Sequence, residues 1–278
     1  LHPCGFPILP TDHYENFPVA SLILPNHLRI SIQKIYNFAR SADDIADCPD
    51  LPLSFKCARL RFYREELRKI ETNSFPLTTL FHELSDVINQ YNLPIKLFED
   101  LLDAFEQDLT VTRYETYAQL TSYCERSANP IGRILLHLFE QPKDEYFHLS
   151  DSVCTGLQII NFLQDITEDY DINRIYLPSD EMKSFGVTEE HIKHQTFDLK
   201  WLNFMGFQVD RAQQLLNAGA PLYDQLPGRI GIEIKAIVKS GIQVTKKLMD
   251  SRGNIFSGTH KLTVRDLFQI MFKIAFSK

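Results

Sequence analysis

Two stretches of the chain gather carboxylates at helical spacing. The first is Tyr36-Asn37-Phe38-Ala39-Arg40-Ser41-Ala42-Asp43-Asp44-Ile45-Ala46-Asp47, where steps of four, three and four line up Tyr36, Arg40, Asp43 and Asp47 on one stripe. Pro49 and Pro52 end the helix just after Asp47. Asp43, Asp44 and Asp47 therefore crowd a C-terminal turn, where the helix dipole disfavours negative charge by some tenths of a kcal/mol each, roughly. Like charges four apart add a similar penalty. A bound cation would remove both. In the second stretch, Gln158, Asn161, Asp165, Glu168 and Asp169 share a face, with Ile159, Ile160, Phe162, Leu163 and Ile166 around the rest. A helix apolar on most sides is buried, so its polar stripe must face something that satisfies it. The bland readings are an exposed acidic helix end for the first cluster and a salt-bridge seam for the second.

Ligand type decides which cation. Asp, Glu and Asn oxygens without nearby His or Cys suit a hard ion, Mg²⁺ first and Mn²⁺ second. Mg²⁺ takes one or two carboxylates and fills its shell with water and phosphate oxygens of a substrate. Two aspartate pairs facing each other across an α-bundle would thus hold a diphosphate through shared metals. Arg40 and Arg174 are suited to contact the same anion directly. The chemistry is ionisation of a diphosphate ester, with the metals stabilising the leaving group and aromatic rings stabilising a carbocation.

The elements that must position these groups are helices. Ile95, Phe98, Leu101, Leu102, Phe105 and Leu109 follow the spacing of one buried face, as do Leu28, Ile32, Ile35, Ala39 and Ala42. Strand-like alternation is rare. Breaks at Pro49, Pro52, Pro76, Pro94, Pro142, Pro178 and from Pro221 to Gly228 separate helices, and no repeat or linker divides the chain. An all-α chain of one domain over residues 1–278 is expected. The 29 Lys plus Arg against 36 Asp plus Glu give a net charge of −7, which argues against a nucleic-acid partner. Five scattered cysteines without a CxxC pair read as a reduced, cytoplasmic protein. No signal peptide is visible, and no run of about 18 apolar residues offers a membrane span. In Arg59 to Lys69, Arg61/Glu65 and Glu65/Lys69 read as pairs on a solvated helix face. His191 and His194 read as an exposed helix rather than a zinc site, and no dinucleotide or Walker loop appears.

These residues resemble the squalene/phytoene synthase family. Its two DxxxD motifs match Asp43 to Asp47 and Asp165 to Asp169, the latter with Asn161 four residues upstream. Its Arg-Ile-Tyr and Tyr-Cys segments match Arg174-Ile175-Tyr176-Leu177-Pro178 and Tyr123-Cys124. The likeness runs from about His13 to Pro178 and weakly beyond. It implies a single-domain isoprenoid synthase helical bundle around a central cavity. Glu15 to Ser21 and Tyr123 to Arg133 are similar to one bacterial branch, the hydroxysqualene synthases of the hopanoid route. That branch takes presqualene diphosphate and water to hydroxysqualene and diphosphate. Where the family often has Ser-Lys-Ser-Phe and Val-Ala-Gly, this chain has Tyr14-Glu15-Asn16-Phe17 and Ser127-Ala128-Asn129, departures that fit a specialised half reaction.

The resemblance implies Asp43, Asp47, Asp165 and Asp169 as ligands of Mg²⁺, with Glu168 ranked behind them. It implies His13, Asn16, Phe17, Tyr36, Arg40, Gln158, Asn161, Arg174 and Tyr176 as substrate contacts, and Tyr123 with Arg40 as catalytic. For Tyr123, a core tyrosine with a bonded hydroxyl is the alternative; for Arg40, a salt bridge to Asp43 or Asp44. NADPH is not expected. Head-to-head coupling of farnesyl diphosphate, to squalene, dehydrosqualene or phytoene, remains the sibling reading. A non-catalytic assembly factor of the same superfamily remains the other. Expected partners are an isoprenoid diphosphate and other enzymes of the squalene route. From Thr263 to Phe276, Leu267, Ile270, Met271 and Ile274 make an apolar stripe widened by Phe268, Phe272 and Phe276, with Arg265, Lys273 and Lys278 beside it. Core packing is its bland reading. The sharper one is reversible contact with the inner membrane surface.

Overall fold

The computed structural model describes residues 23–251, 254–257 and 260–276. Among them every extended element is a helix, and a lone bridge between Arg113 and Ile175 is the nearest approach to a strand. The all-α expectation is met. The chain divides into two compact units: residues 1–111 with 130–142, and residues 112–129 with 143–278.

In the first unit, α1 (Asn26–Asp47) stops at Asp47 as the prolines require, and Cys48 closes it with an N–H to Asp44 carbonyl bond of 3.1 Å. It packs with α2 (Leu53–Glu71), α3 (Thr79–Tyr91) and α4 (Ile95–Asp108). Phe38 of α1 is the hub: it is fully buried, with the rings of Tyr63, Phe81 and Phe98 at 5.8, 5.8 and 5.6 Å. The edge-to-face contacts with Phe81 and Phe98 add about 0.5–1.5 kcal/mol each beyond the area they bury. Tyr63 closes the hub by donating its hydroxyl to Ser41 Oγ at 3.0 Å. The apolar face of α4 runs Leu97, Phe98, Leu101, Leu102 and Ala104; Ile95 and Phe105 lie half out of it. The expected pairs within α2 give way to longer connections. Arg64 binds Asp103 and Glu106 of α4, and Glu66 is fully buried, bonded to Lys69 at 2.6 Å and to the Leu77 N–H. The short α6 (Asn129–Leu138) belongs mostly to this unit.

The second unit is built on α7 (Asp144–Gln164) against α11 (Leu199–Gly219), with α5 (Tyr117–Ser127), α12 (Pro221–Gln225), α13 (Gly228–Asp250) and α14 (Val264–Phe276) around them. Small residues let α7 and α11 approach. A Cβ on Gly219 would lie 2.5 Å from the Leu149 carbonyl oxygen, and one on Gly156 3.2 Å from that of Ala212. The short helices α8 (Ile166–Asp171), α9 (Ser179–Ser184) and α10 (Glu189–Lys193) carry the chain between α7 and α11. His191 serves α10 as part of a capping box with Thr188, its Nδ1 accepting the Thr188 N–H at 3.1 Å. Cys57, Cys124 and Cys154 carry free thiols. No helix among the described residues is long and apolar enough to cross a membrane.

Candidate active site

Helix α1 delivers Tyr36, Arg40, Asp43 and Asp47 half-buried along one stripe of the first unit. Arg40 binds both neighbouring aspartates, Asp43 Oδ2 at 3.0 Å and Asp44 Oδ1 at 2.6 Å. Burial opposes its charge, but Asp43 and Asp44 outweigh that and hold its pKa above the usual value. The salt bridge weighed for Arg40 therefore exists. It engages the two terminal nitrogens and leaves Nε enclosed, without a partner among the described residues.

Asp43 is under strain of a different kind. Burial and then repulsion from Asp47 push its pKa up to about 8, against the relief that Arg40 gives. Asp108 adds to the repulsion. Asp108 stands far from either aspartate motif in the sequence and is buried at the end of α4. A signal was available: Asp108 continues the buried stripe Leu97, Leu101, Ala104 at the next helical step, a place where a carboxylate is out of character.

In the second unit the polar stripe falls on two helices rather than one. Helix α7 ends at Gln164, Asp165 turns with φ −103° and ψ 16°, and α8 resumes at Ile166. The Asp169 N–H still reaches the Asp165 carbonyl at 2.7 Å, so the two aspartates stay one turn apart. Burial, then Glu168, raises the pKa of Asp165, while Lys261 works the other way. Glu168 itself is exposed. Asn161 and Gln158 are half-buried on α7, and Arg174 is buried, its N–H bonded to the Asp169 carbonyl at 2.8 Å.

Tyr123 and Tyr176 come together in an aromatic cluster. Tyr176 stacks on Phe162 with centroids 4.1 Å apart and planes 8° apart, and its ring lies 5.5 Å from Tyr123 and 5.6 Å from Tyr114. Phe162 and Tyr114 were not among the expected site residues, since nothing local marks them as neighbours of Tyr123. The adjacent Cys124 is inert, its thiol pushed up to about 12 by burial. Behind Arg174 and Tyr176, the alternate residues Ile175 and Leu177 line a cleft of about 340 Å³ with Met182, Val187, Lys183 and Arg113. His13, Asn16 and Phe17 lie outside the described residues.

A hard cation fits what is present. Asp43 is repelled by Asp47 and relieved by Arg40. Among the described residues no three His, Cys, Asp or Glu side chains converge to form a closed metal cage. Sparse carboxylates that leave room for substrate oxygens suit Mg²⁺, not a structural zinc.

This all-α architecture with paired aspartate motifs is that of an isoprenoid synthase. The family model for squalene/phytoene synthase matches residues 11–266, and the chain belongs to that family. It is 34% identical over 244 residues to the hydroxysqualene synthase of Zymomonas mobilis, covering 84% of this chain and 78% of that one. To the presqualene diphosphate synthase of Rhodopseudomonas palustris it is 32% identical, covering 78% and 77%. The crystal structure of the squalene synthase HpnC from Alicyclobacillus acidocaldarius superposes with a TM-score of 0.80 at 34% identity, over 86% of this chain and 90% of that one. The chain is an enzyme of the squalene/phytoene synthase type, and the non-catalytic alternative is set aside.

Proposed function

We propose that this enzyme, acting as one isoprenoid synthase domain over residues 1–278, ionises presqualene diphosphate with Mg²⁺ and quenches the cation with water, giving hydroxysqualene and diphosphate. The observation that carries the reading is the burial of Asp43 beside Asp47 at the C-terminal end of α1, a repulsion that a bound cation would lower. The likeness to the Zymomonas mobilis hydroxysqualene synthase supports the choice of product.

Asp43 and Asp47 in the first unit, and Asp165 and Asp169 in the second, are the carboxylates that would hold Mg²⁺, which would neutralise charge on a leaving diphosphate. Arg40 holds Asp43 and Asp44 in place through its terminal nitrogens and keeps Nε–H to donate to a phosphate oxygen. Arg174, Asn161 and Gln158 serve as polar contacts, and Tyr36 lies one turn before Arg40 on the same stripe. Tyr123, Phe162 and Tyr176 offer ring faces to a carbocation. The burial of this cluster keeps bulk water away from it. His13, Asn16 and Phe17 complete the substrate contacts, and the reaction needs no NADPH. The enzyme works in the cytoplasm, touching the inner membrane surface through α14, beside other enzymes of the squalene route.

The test is to incubate purified protein with Mg²⁺ and presqualene diphosphate, without NADPH. Hydroxysqualene and diphosphate in equal amounts are expected. Formation of presqualene diphosphate, dehydrosqualene or phytoene from farnesyl or geranylgeranyl diphosphate, with presqualene diphosphate left untouched, would establish the coupling reaction instead.

A further inference from the structure

Helices α5 and α7 are pinned together at two points. Tyr123 of α5 meets Phe162 of α7, with ring centroids 6.2 Å apart. Just beyond α5, Asn129 accepts the Thr155 hydroxyl at 3.0 Å, and both residues are buried. The order 123 to 129 on one side thus matches 162 back to 155 on the other, so the two segments run antiparallel.

Ser127 lies between the two pins, one helical turn after Tyr123 and on the same side of α5. The facing stretch of α7 carries Gln158, which shares a line with Thr155 and Phe162 at steps of three and four. Neither side chain has a hydrogen-bond partner among the described residues. Ser127 Oγ is enclosed and makes no hydrogen bond among the described residues. Gln158 is half-buried, and its amide likewise has no side-chain hydrogen bond among them. Buried polar groups without partners are rare and are usually met by water. A hydroxyl and an amide together supply the two or more partners that an ordered water needs.

We infer that Ser127 and Gln158 hold the water that attacks the carbocation, an assignment that rests on the water-quenched reaction proposed above. Ser127 Oγ and Gln158 Oε1 accept the two O–H bonds of that water, which leaves an oxygen lone pair free beside the rings of Tyr123 and Phe162. In the reaction the ester C–O bond breaks and its electron pair leaves with diphosphate. The water lone pair forms the new C–O bond, and one water proton passes to the released diphosphate. Ester plus water becomes alcohol plus hydrogen diphosphate, with nothing oxidised or reduced. Ser127 and Gln158 thereby determine product partition, a role separate from ionisation.

The experiment measures hydroxysqualene and diphosphate together, from presqualene diphosphate and Mg²⁺, for wild type, Ser127→Ala, Ser127→Thr and Gln158→Met. The ratio of alcohol to diphosphate should fall at least tenfold in Ser127→Ala and in Gln158→Met, with elimination hydrocarbons making up the difference. Ser127→Thr, which keeps the hydroxyl, should return to within threefold of wild type. A ratio within twofold of wild type in folded Ser127→Ala or Gln158→Met overturns the assignment and leaves the proposed reaction standing. A wild-type enzyme that makes no alcohol overturns both.

Discussion

Phe162 and Tyr176 stack face to face, 4.1 Å between ring centroids and 8° between planes. The contact joins the last turns of α7 to the extended segment that follows α8. That segment is also held by the Ile175 N–H on the Thr112 carbonyl at 3.0 Å. Arg174 and Tyr176 alternate with Ile175 and Leu177, so one stacked ring orients a segment whose two faces have different tasks.

Replacing Phe162 separates bulk from stacking. Phe162→Ala should cost about 3–5 kcal/mol, the usual range for an emptied aromatic site in a core. Phe162→Leu refills most of the space and forfeits the ring contact, so a loss nearer about 0.5–1.5 kcal/mol beyond the packing term is expected. Urea unfolding of both variants checks this; a Phe162→Leu variant as stable as wild type would show that stacking contributes nothing.

Two glycines of α11 should respond in opposite directions. Gly219→Ala drives a methyl to 2.5 Å from the Leu149 carbonyl oxygen and Val153 Cγ2, and should destabilise by about 1–3 kcal/mol or more as α7 and α11 are forced apart. Gly206→Ala meets nothing within 4 Å and should stabilise by about 0.4–1 kcal/mol through reduced freedom of the unfolded chain. Thermal unfolding of the two variants side by side is the measurement.

The contrast between those glycines marks where sequence reading stops. The end of α1 at Asp47, its buried face and its polar stripe followed from period and proline positions, because those are local rules. The polar stripe on α7 was legible for the same reason, apart from the break at Asp165, which no Gly or Pro announces. Contacts between distant segments were not legible. Phe162 on Tyr176, Arg64 on Asp103 and Glu106, and Asp108 beside Asp43 depend on which helix lies next to which. Within α2, Arg61 and Glu65 lie on the solvated face as read, whereas Lys69 pairs with Glu66 rather than Glu65, and Arg64 reaches Asp103 and Glu106 of α4.

Removing one carboxylate from either motif should affect turnover far more than folding. Asp43→Asn and Asp165→Asn are each expected to lower diphosphate release at least about a hundredfold. In metal-free protein Asp43→Asn should leave the melting temperature unchanged or raise it, since it removes repulsion from Asp47 and Asp108. Mg²⁺ with inorganic diphosphate should raise the melting temperature of wild type and do so less in either variant. Near-normal turnover in Asp165→Asn would remove Asp165 from the metal site.

The acid limb of stability should trace in part to Glu181. Burial alone would raise its pKa, but bonds from Arg211 and from the buried Gln208 outweigh that and hold it below the usual value. The folded state therefore releases this proton more readily than the unfolded chain. The stabilisation is complete above the unfolded pKa of roughly 4.3 and is lost as pH falls through the lower folded value. Arg211 also lies over the Tyr117 ring at 3.8 Å, so the pair ties α9 and α11 to α5. Glu181→Gln should lower stability at pH 7 and flatten the pH dependence below about pH 5. Denaturant midpoints from pH 7 to pH 3 test it, and parallel curves for variant and wild type would contradict it.

Helix α14 presents an exposed apolar face. Ile270 is buried, and Asp266 pairs with Lys247 of α13, its carboxyl held down to about 2 despite the opposing effect of burial. Val264, Phe268 and Phe272 lie four apart along the other side, 70%, 73% and 65% exposed. Those exposures place the phenylalanines outside the core, where a water-facing protein gains nothing from them. Arg265 is exposed beside them and would contribute about 1 kcal/mol at an anionic surface. A single short face of this kind gives reversible binding only. A minor fraction of the full chain should float with vesicles rich in phosphatidylglycerol, and less with phosphatidylcholine alone. Changing both Phe268 and Phe272 to Glu should abolish flotation while leaving the melting temperature within a few degrees. Equal flotation of wild type and the double variant would show that membrane contact lies elsewhere, and no flotation of either would show that α14 does not meet lipid.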